Sequence, residues 1–392
     1  MVKSDQFISQ LLHAEHKLLQ YKKTQYGKLT KQIEDSLNDP LLKAETDDPI
    51  AKLMGKGSGV IKDLTKKLES LKVNFEVLEA RLQLLEAHSA FSDEIIIDKR
   101  AKIDKILNDP ENGINTLLGE TREEVRRTLL GKIVSFAKAP ELYINRFNNY
   151  TLMGSAGSGK TKLAGILGNF FYNLGILNTS KVIYVTRADL VAGYIGQTAT
   201  KTREYLTSTL EGVLFIDEAY QLSGCPDKEG QFSSKDFGAE SITEIVNYID
   251  KHIGLSVIIG AGYEDKINEC FLKINEGMRR RFPNNLRLLP YSSGDLSQIL
   301  YFQIKKLFSA QILTPSQTQY IDYMVEQLNQ YKNPTQPLGL FWNQAGDMLN
   351  LSNVILQDLI LNQKKGYLPE NINNSFSRFF TSKGLQVVIK FG

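Results

Sequence analysis

The sequence is poor in cysteine, tryptophan and histidine: its 392 residues include two, one and four of them. Cys225 and Cys270 stand too far apart in sequence for a metal knuckle or a redox pair, and read as reduced bystanders in a cytosol-like compartment. His13, His16 and His88 have no carboxylate or cysteine cluster at ligand spacing, so they read as plain helix-face residues. Neither sign of charge dominates, with 47 Lys and Arg against 44 Asp and Glu and a formal charge of +3. That balance, and the lack of a basic, aromatic-rich arm, count against a nucleic-acid partner or a nucleic-acid motor. Long apolar runs are missing too. The opening MVKSDQFISQLLHAEH has charge where a signal peptide needs an apolar core, and no later run approaches membrane-spanning length. The expectation is a cytoplasmic protein without a membrane partner.

What is present suits a globular chain of roughly two or three domains, with 42% apolar residues, 23% charged and 11 prolines. The first hundred residues read helical. From about Ser4 to Leu37 the apolar positions Phe7, Leu11, Ala14, Leu18 and Tyr21 recur at three- and four-residue steps. Asn38-Asp-Pro40 stops that segment and Gly55-Lys-Gly-Ser-Gly59 marks a flexible break. Then Ile61, Leu64, Leu68, Leu71, Phe75, Leu78, Leu82 and Leu85 alternate threes and fours, the a/d signature of a coiled coil. Such a stripe must be buried. Either the second helix folds back on the first as a hairpin, which the intervening Gly and Pro favour, or it forms a stalk for a partner.

The organising stretch is GSAGSGKT, which fits the Walker A pattern at every fixed position. It comprises Gly154, Ser155, Ala156, Gly157, Ser158, Gly159, Lys160 and Thr161, with Lys162 next. It follows the apolar run Tyr150-Thr-Leu-Met153 and leads into a helix with Leu163, Ile166, Leu167, Phe170, Phe171 and Leu174 on one face. Strand, loop and helix in that order make a phosphate loop: the helix start offers N–H groups and positive partial charge to an anion. Glycines let the backbone curl around phosphates, Lys160 supplies a mobile cation, and the Thr161 hydroxyl is offered to Mg2+. Well downstream, Gly212-Val-Leu-Phe-Ile216 ends in Asp217-Glu218, a Walker B element. Asp217 would hold Mg2+ through water, and Glu218 would orient and deprotonate the attacking water. Lys181–Val185, Ser256–Gly260 and Leu286–Leu289 read as further strands, and Ala239–His252 as a helix with Ile242, Ile245, Val246 and Ile249 inward. This alternation predicts an α/β, doubly wound parallel sheet. No guanine-specifying Asn-Lys-x-Asp occurs, so ATP is the expected nucleotide.

The ordered motifs carry a family resemblance. Walker A, Arg187-Ala-Asp-Leu-Val191, Tyr194-Ile-Gly-Gln-Thr198, Val213-Leu-Phe-Ile-Asp-Glu-Ala-Tyr220, Asp236-Phe-Gly-Ala-Glu240, Ala261-Gly-Tyr263 and Gly277-Met-Arg-Arg-Arg-Phe282 resemble the CbbX/CfxQ (SpoVK-like) subfamily of AAA+ ATPases. That group includes red-type rubisco activases, and the resemblance spans about residues 115 to 360. It implies a homo-oligomeric ring, usually a hexamer, with ATP between neighbouring subunits. Arg281 matches the arginine finger that reaches a neighbour's γ-phosphate, and Arg279 the assisting arginine. Leu117-Leu118-Gly119 matches the segment on the adenine. Tyr194-Ile195-Gly196 matches the pore loop that grips a substrate polypeptide; from the residues alone it reads equally as a buried tyrosine in a turn. Tyr263 occupies the sensor 1 position, where a polar residue such as Asn is common.

From Ser292 the stripes Leu296, Ile299, Leu300, Ile304, Leu307 and Ile321, Met324, Val325, Leu328 match the C-terminal helical lid. One departure stands out: Gly346 falls where the family has its sensor 2 arginine, and Leu349 where a second arginine often lies. Lys364 and Lys365 lie close downstream. The expected organisation is residues 1–100 as an all-α hairpin or coiled-coil region, 101–291 as the nucleotide-binding domain, 292–370 as the lid and 371–392 as a tail. In that tail Leu385–Phe391 suggests an edge strand or docking segment. Two functions are weighed: an ATP-driven remodeller of an unidentified protein partner, and a nucleotide-gated scaffold with little turnover.

Overall fold

The computed structural model describes residues 4–39, 56–87, 91–194, 197–222, 225, 238–307, 313–330, 340–361 and 369–385. Ile195, Gly196, His88, Lys364, Lys365 and residues 386–391 lie outside them. The chain divides into two compact units. One is Met1–Ile114, Thr128–Thr151 and Ala164–Asn285; the other is Asn115–Arg127, Leu152–Leu163 and Leu286–Gly392.

In the first unit, helix α1 (Asp5–Leu37) starts where the Ser4 side chain accepts from the Phe7 N–H at 3.4 Å. Its stripe of Phe7, Ile8, Leu11, Leu12, Leu18 and Leu19 is buried. Helix α2 (Lys56–Glu86) packs along it as a hairpin, with Leu71, Leu78, Leu82 and Leu85 of the a/d stripe buried and Ile61, Leu64, Leu68 and Phe75 half-buried. The glycine-rich stretch expected to break the chain is instead taken into the first turns of α2 from Lys56. Glycine is well tolerated at a helix start, where the first N–H groups have no intrahelical partner anyway. Helix α3 (Asp93–Asn108) also packs on α1.

Buried charge seats the hairpin. Lys22 Nζ donates to Glu211 Oε2 and to the Ile176 carbonyl, both at 2.6 Å, with both side chains fully buried. The Tyr26 hydroxyl donates to Glu211 Oε1 at 2.9 Å. Glu211 sits in the left-handed region at φ 60 in the turn ahead of the Walker B strand. A second cluster joins Arg81 Nε (2.7 Å) and Lys99 Nζ (2.8 Å) to Glu15. Burial alone would raise the Glu15 carboxyl, yet the charges of Lys99 and Arg81 and their hydrogen bonds hold it down at about 2. Lys99 also donates to the Leu174 carbonyl at 2.7 Å.

The parallel sheet has the order β2-β3-β4-β1-β5. Its strands are β1 (Tyr150–Gly154), β2 (Val182–Val185), β3 (Val213–Ile216), β4 (Val257–Gly262) and β5 (Asn284–Leu288). Val213 pairs with Val182 on one side and with Val257 on the other. β3 is buried throughout, as an all-apolar strand flanked on both sides must be. Intervening helices are α4 (Glu123–Lys138), α5 (Lys160–Leu174), α6 (Arg187–Leu190), α7 (Thr198–Ser208) and α8 (Gly238–Lys251). The fold is the doubly wound α/β sheet expected from the motif order.

The cysteine expectation fails. Cys225 and Cys270 are joined in a disulfide, with Cα atoms 4.5 Å apart. Their 45-residue separation in sequence said nothing of distance, because the chain between them runs through α8 and β4 and returns. The cysteines therefore give no argument for a reducing compartment. No described helix is long and apolar enough to cross a membrane.

The second unit is helical around one core. Helices α10 (Ser293–Leu307), α11 (Pro315–Gln330), α12 (Gln344–Leu361) and α13 (Pro369–Ser382) follow α9 (Met278–Arg281), the short helix that ends the first unit's chain before β5. Leu296, Leu300, Met324, Phe341, Met348, Leu351 and Ile355 share that core with Phe376, Phe379 and Phe380 of α13.

Candidate functional site

In the second unit, Gly157 and Gly159 take φ 66 and φ 94, conformations that L side chains rarely adopt, and the chain curls between β1 and α5. Lys160 is buried, and its Nζ donates back to the carbonyls of Gly154 (2.9 Å) and Ser155 (3.0 Å). The buried Ser158 Oγ has no hydrogen-bond partner among the described residues. Thr161 and Lys162 are exposed at the start of α5. A cradle with left-handed glycines, a folded-back cation and an orphaned hydroxyl fits a polyphosphate. No group of three or more His, Cys, Asp or Glu that could hold a metal occurs among the described residues. A phosphate loop binds Mg2+ through one hydroxyl, water and phosphate oxygens, and Thr161 supplies such a hydroxyl at the start of α5.

The same unit gathers residues around the loop that motif spacing did not reveal. Arg122, fully buried, donates to the Ser158 carbonyl at 2.7 Å and the Leu289 carbonyl at 2.8 Å, and its guanidinium carbon lies 3.8 Å above the Tyr291 ring. The Gln344 amide nitrogen donates to Ser155 Oγ at 2.6 Å and, at a long 3.4 Å, to the Ala156 carbonyl. Its amide oxygen accepts from the Tyr291 N–H at 2.8 Å. Gln344 carries the strain of φ 42 while doing so. Asp295 accepts from the N–H groups of Glu120 (2.7 Å) and Thr121 (3.4 Å), fixing the turn at Gly119, whose φ is 93. Leu118 packs against the helical core of the same unit beside that turn. At Gly346 an added Cβ would meet Asn343 Nδ2 at 2.4 Å, so any side chain there needs Asn343 to move.

In the first unit, Asp217 leaves the end of β3 with its N–H on the Val185 carbonyl at 2.8 Å, and its Oδ1 accepts from the Glu218 N–H at 3.1 Å. Glu218 is left-handed, at φ 47 and ψ 46, and its buried Oε2 has no partner among the described residues. Burial, then the hydrogen bond to Glu218, pushes the Tyr220 phenol up to about 12. Tyr263 is exposed, with Lys266 Nζ 5.6 Å from its ring centre. Tyr194 is 75% exposed, which removes the reading of it as a buried turn residue. Arg279 is exposed and donates to the Asn268 carbonyl at 3.3 Å. Arg281 is only 8% exposed and closes on its own chain: Nε donates to Asp250 Oδ1 at 2.9 Å, Nη2 to Oδ2, and Nη1 to the Gly277 carbonyl at 3.0 Å.

Comparison with known proteins agrees with these motifs. Residues 150–287 match the ATPase family associated with various cellular activities (AAA). The chain is 34% identical over 204 residues to the CfxQ homolog of Galdieria sulphuraria, covering 51% of this chain and 64% of that protein. It is 34% identical to the chloroplastic ribulose bisphosphate carboxylase/oxygenase activase of Cyanidioschyzon merolae, covering 51% of this chain and 67% of that one. Stage V sporulation protein K of Bacillus subtilis is 38% identical over 37% of this chain and 43% of its own length. The chain thus belongs to the AAA ATPase family and, within it, to the CbbX/CfxQ, SpoVK-like subfamily. It spans 64% of the CfxQ homolog's length and less than half of the sporulation protein's.

Proposed function

We propose that the chain is a subunit of an ATP-hydrolysing ring, a hexamer by analogy with the subfamily, that remodels or threads a protein partner. The observation that carries hydrolysis is Glu218. A non-glycine residue held left-handed, with an orphaned buried carboxylate oxygen, keeps a strain that structure alone does not require. The cost suits a carboxylate aimed at an attacking water. Gly154 to Lys162 would hold the phosphates and Leu118 with Gly119 the adenine. Thr161 and Asp217 would hold Mg2+, which when bound supplies charge neutralisation for phosphoryl transfer. Arg281, assisted by Arg279, would stabilise that charge in a neighbouring subunit, exchanging Asp250 for phosphate as it does so. Tyr263 would orient the water. Tyr194, exposed beside Gly193, would grip the polypeptide in the ring's channel, with Ile195 and Gly196 of the same motif lying outside the described residues.

The scaffold reading keeps one supporting observation. Position 346 has no arginine, and a side chain there would require the Asn343 amide to shift, so the lid offers no cation of its own there. A missing donor to a transition state costs a few kcal/mol, which would slow turnover. Steady-state ATPase assays of the wild type beside Glu218→Gln decide. We expect a loss of roughly 10²–10⁴-fold in the variant; comparable near-zero rates in both would leave only the scaffold. Tyr194→Ala should keep ATPase activity and lose processing of the partner.

A further inference from the structure

The phosphate loop is gripped from outside by two side chains that no motif names. In a planar trans peptide the carbonyl and the following N–H point in opposite directions. Arg122 holds the Ser158 carbonyl, so the Gly159 N–H is turned the other way. Gln344 draws on the Ala156 carbonyl and on Ser155 Oγ, which turns the Gly157 N–H likewise. Both glycines are left-handed, and loop glycines of this kind present their N–H groups to phosphate.

We propose that Arg122 and Gln344 are positioning residues of the nucleotide site, which aim the N–H groups of Gly159 and Gly157 at the phosphates of a bound nucleotide by holding the carbonyls behind them. This rests on the nucleotide reading above. The two grips form one bridge. The Arg122 guanidinium carbon stands 3.8 Å over the Tyr291 ring, and the Tyr291 N–H donates to the Gln344 amide oxygen. Because Gln344 begins the lid helix α12 and Arg122 follows the adenine segment, lid and adenine turn grip the loop together. Arg122 donates to Ser158 O, Leu289 O, Thr121 O and Thr121 Oγ1, which are carbonyls and a hydroxyl rather than carboxylates. The Asp295 carboxylate also acts on its charge, so what Arg122 gives the loop is the orientation of the carbonyl it holds. Part of what a lid arginine at position 346 would supply comes from Arg122 instead, through the backbone.

The test is nucleotide binding by the whole chain, measured for ATP, ADP and adenosine, with unliganded melting temperature as the check on folding. Arg122→Lys keeps the charge and loses the planar fork. Gln344→Asn keeps the amide and tolerates a left-handed backbone, but its amide is one carbon too short. Each should weaken ATP and ADP about tenfold, or about 1.4 kcal/mol. Adenosine, which has no phosphate, should bind as in the wild type, and melting should barely move. A merely structural role would lower the melting temperature and weaken all three ligands together, or none of them; either pattern overturns the proposal. Lys160→Ala separates the two failures. If it binds ATP as the wild type does, the phosphate-loop reading falls and takes this inference with it.

Discussion

Helix α5 meets buried cations near both its ends, and the two ends are treated differently. At the C-terminal end Lys99 donates to the carbonyls of Asn173 and Leu174, and Lys22 to that of Ile176 just beyond. Each lysine is also paired with a buried carboxylate, Glu15 or Glu211. Ahead of the N-terminal end, Arg122 holds a loop carbonyl and makes no direct ion pair among the described residues, although the Asp295 carboxylate acts on its charge. A helix C-terminus favours a cation, and a neutralised one there serves the fold alone. The cation at the other end is fully buried and bears on a ligand only through the carbonyl it holds. Pairing distinguishes the charges that build the molecule from those that serve its ligand.

That contrast is sharpest at Lys22. Lys22→Met strands Glu211 in the interior, and denaturant unfolding should show a loss of about 3–5 kcal/mol. The double variant Lys22→Met, Glu211→Gln should recover more than half of it. A single-variant loss below about 1 kcal/mol would mean that the pair does not seat the hairpin.

Next comes acid sensitivity. Burial, with the charges of Lys67 and Lys251, holds the His252 ring down at about 4, while its Nδ1 lies 2.9 Å from the Tyr248 carbonyl. The folded value lies below the unfolded one, so the unfolded chain takes the proton first. Stability should be level above about pH 6.5 and fall by on the order of 2 kcal/mol towards pH 4, a figure discounted for the ring's partial exposure. The Glu15 carboxyl, also depressed, extends the fall from about pH 4.5 towards 2. His252→Phe should flatten only the first of these slopes; if the slope persists, the titrating group lies elsewhere.

The smallest effect belongs to Lys17, which meets Glu141 at 3.3 Å with both side chains mostly exposed. Lys17→Ala should leave the same unfolding curve unchanged, since solvent and salt screen such a pair. A clear shift would mean that charge count, rather than burial, governs the first unit.

Much of this was legible in the residues. The strands β1 to β5 fall within two residues of their expected places, because continuous apolar runs of that length fit only a covered parallel sheet. The a/d stripe of α2 declared a helix that must be buried, though not against what. Walker A and Walker B were plain because phosphate chemistry needs fixed spacing within a single loop or strand end. Arg122, Gln344 and Asp295 were invisible for the opposite reason: they act from positions remote in sequence, with no local pattern. The disulfide escaped in the same way, and so did the closure of Arg281 on Asp250.

By itself, then, the sequence determined the family, the sheet and the loop that would take phosphate, since periodicity and motif spacing are local properties of a chain. Only the tertiary structure decided which buried charges are cancelled, which side chains brace the loop, and that the cysteines meet. Those are distances between residues far apart in the chain, set by how its layers pack.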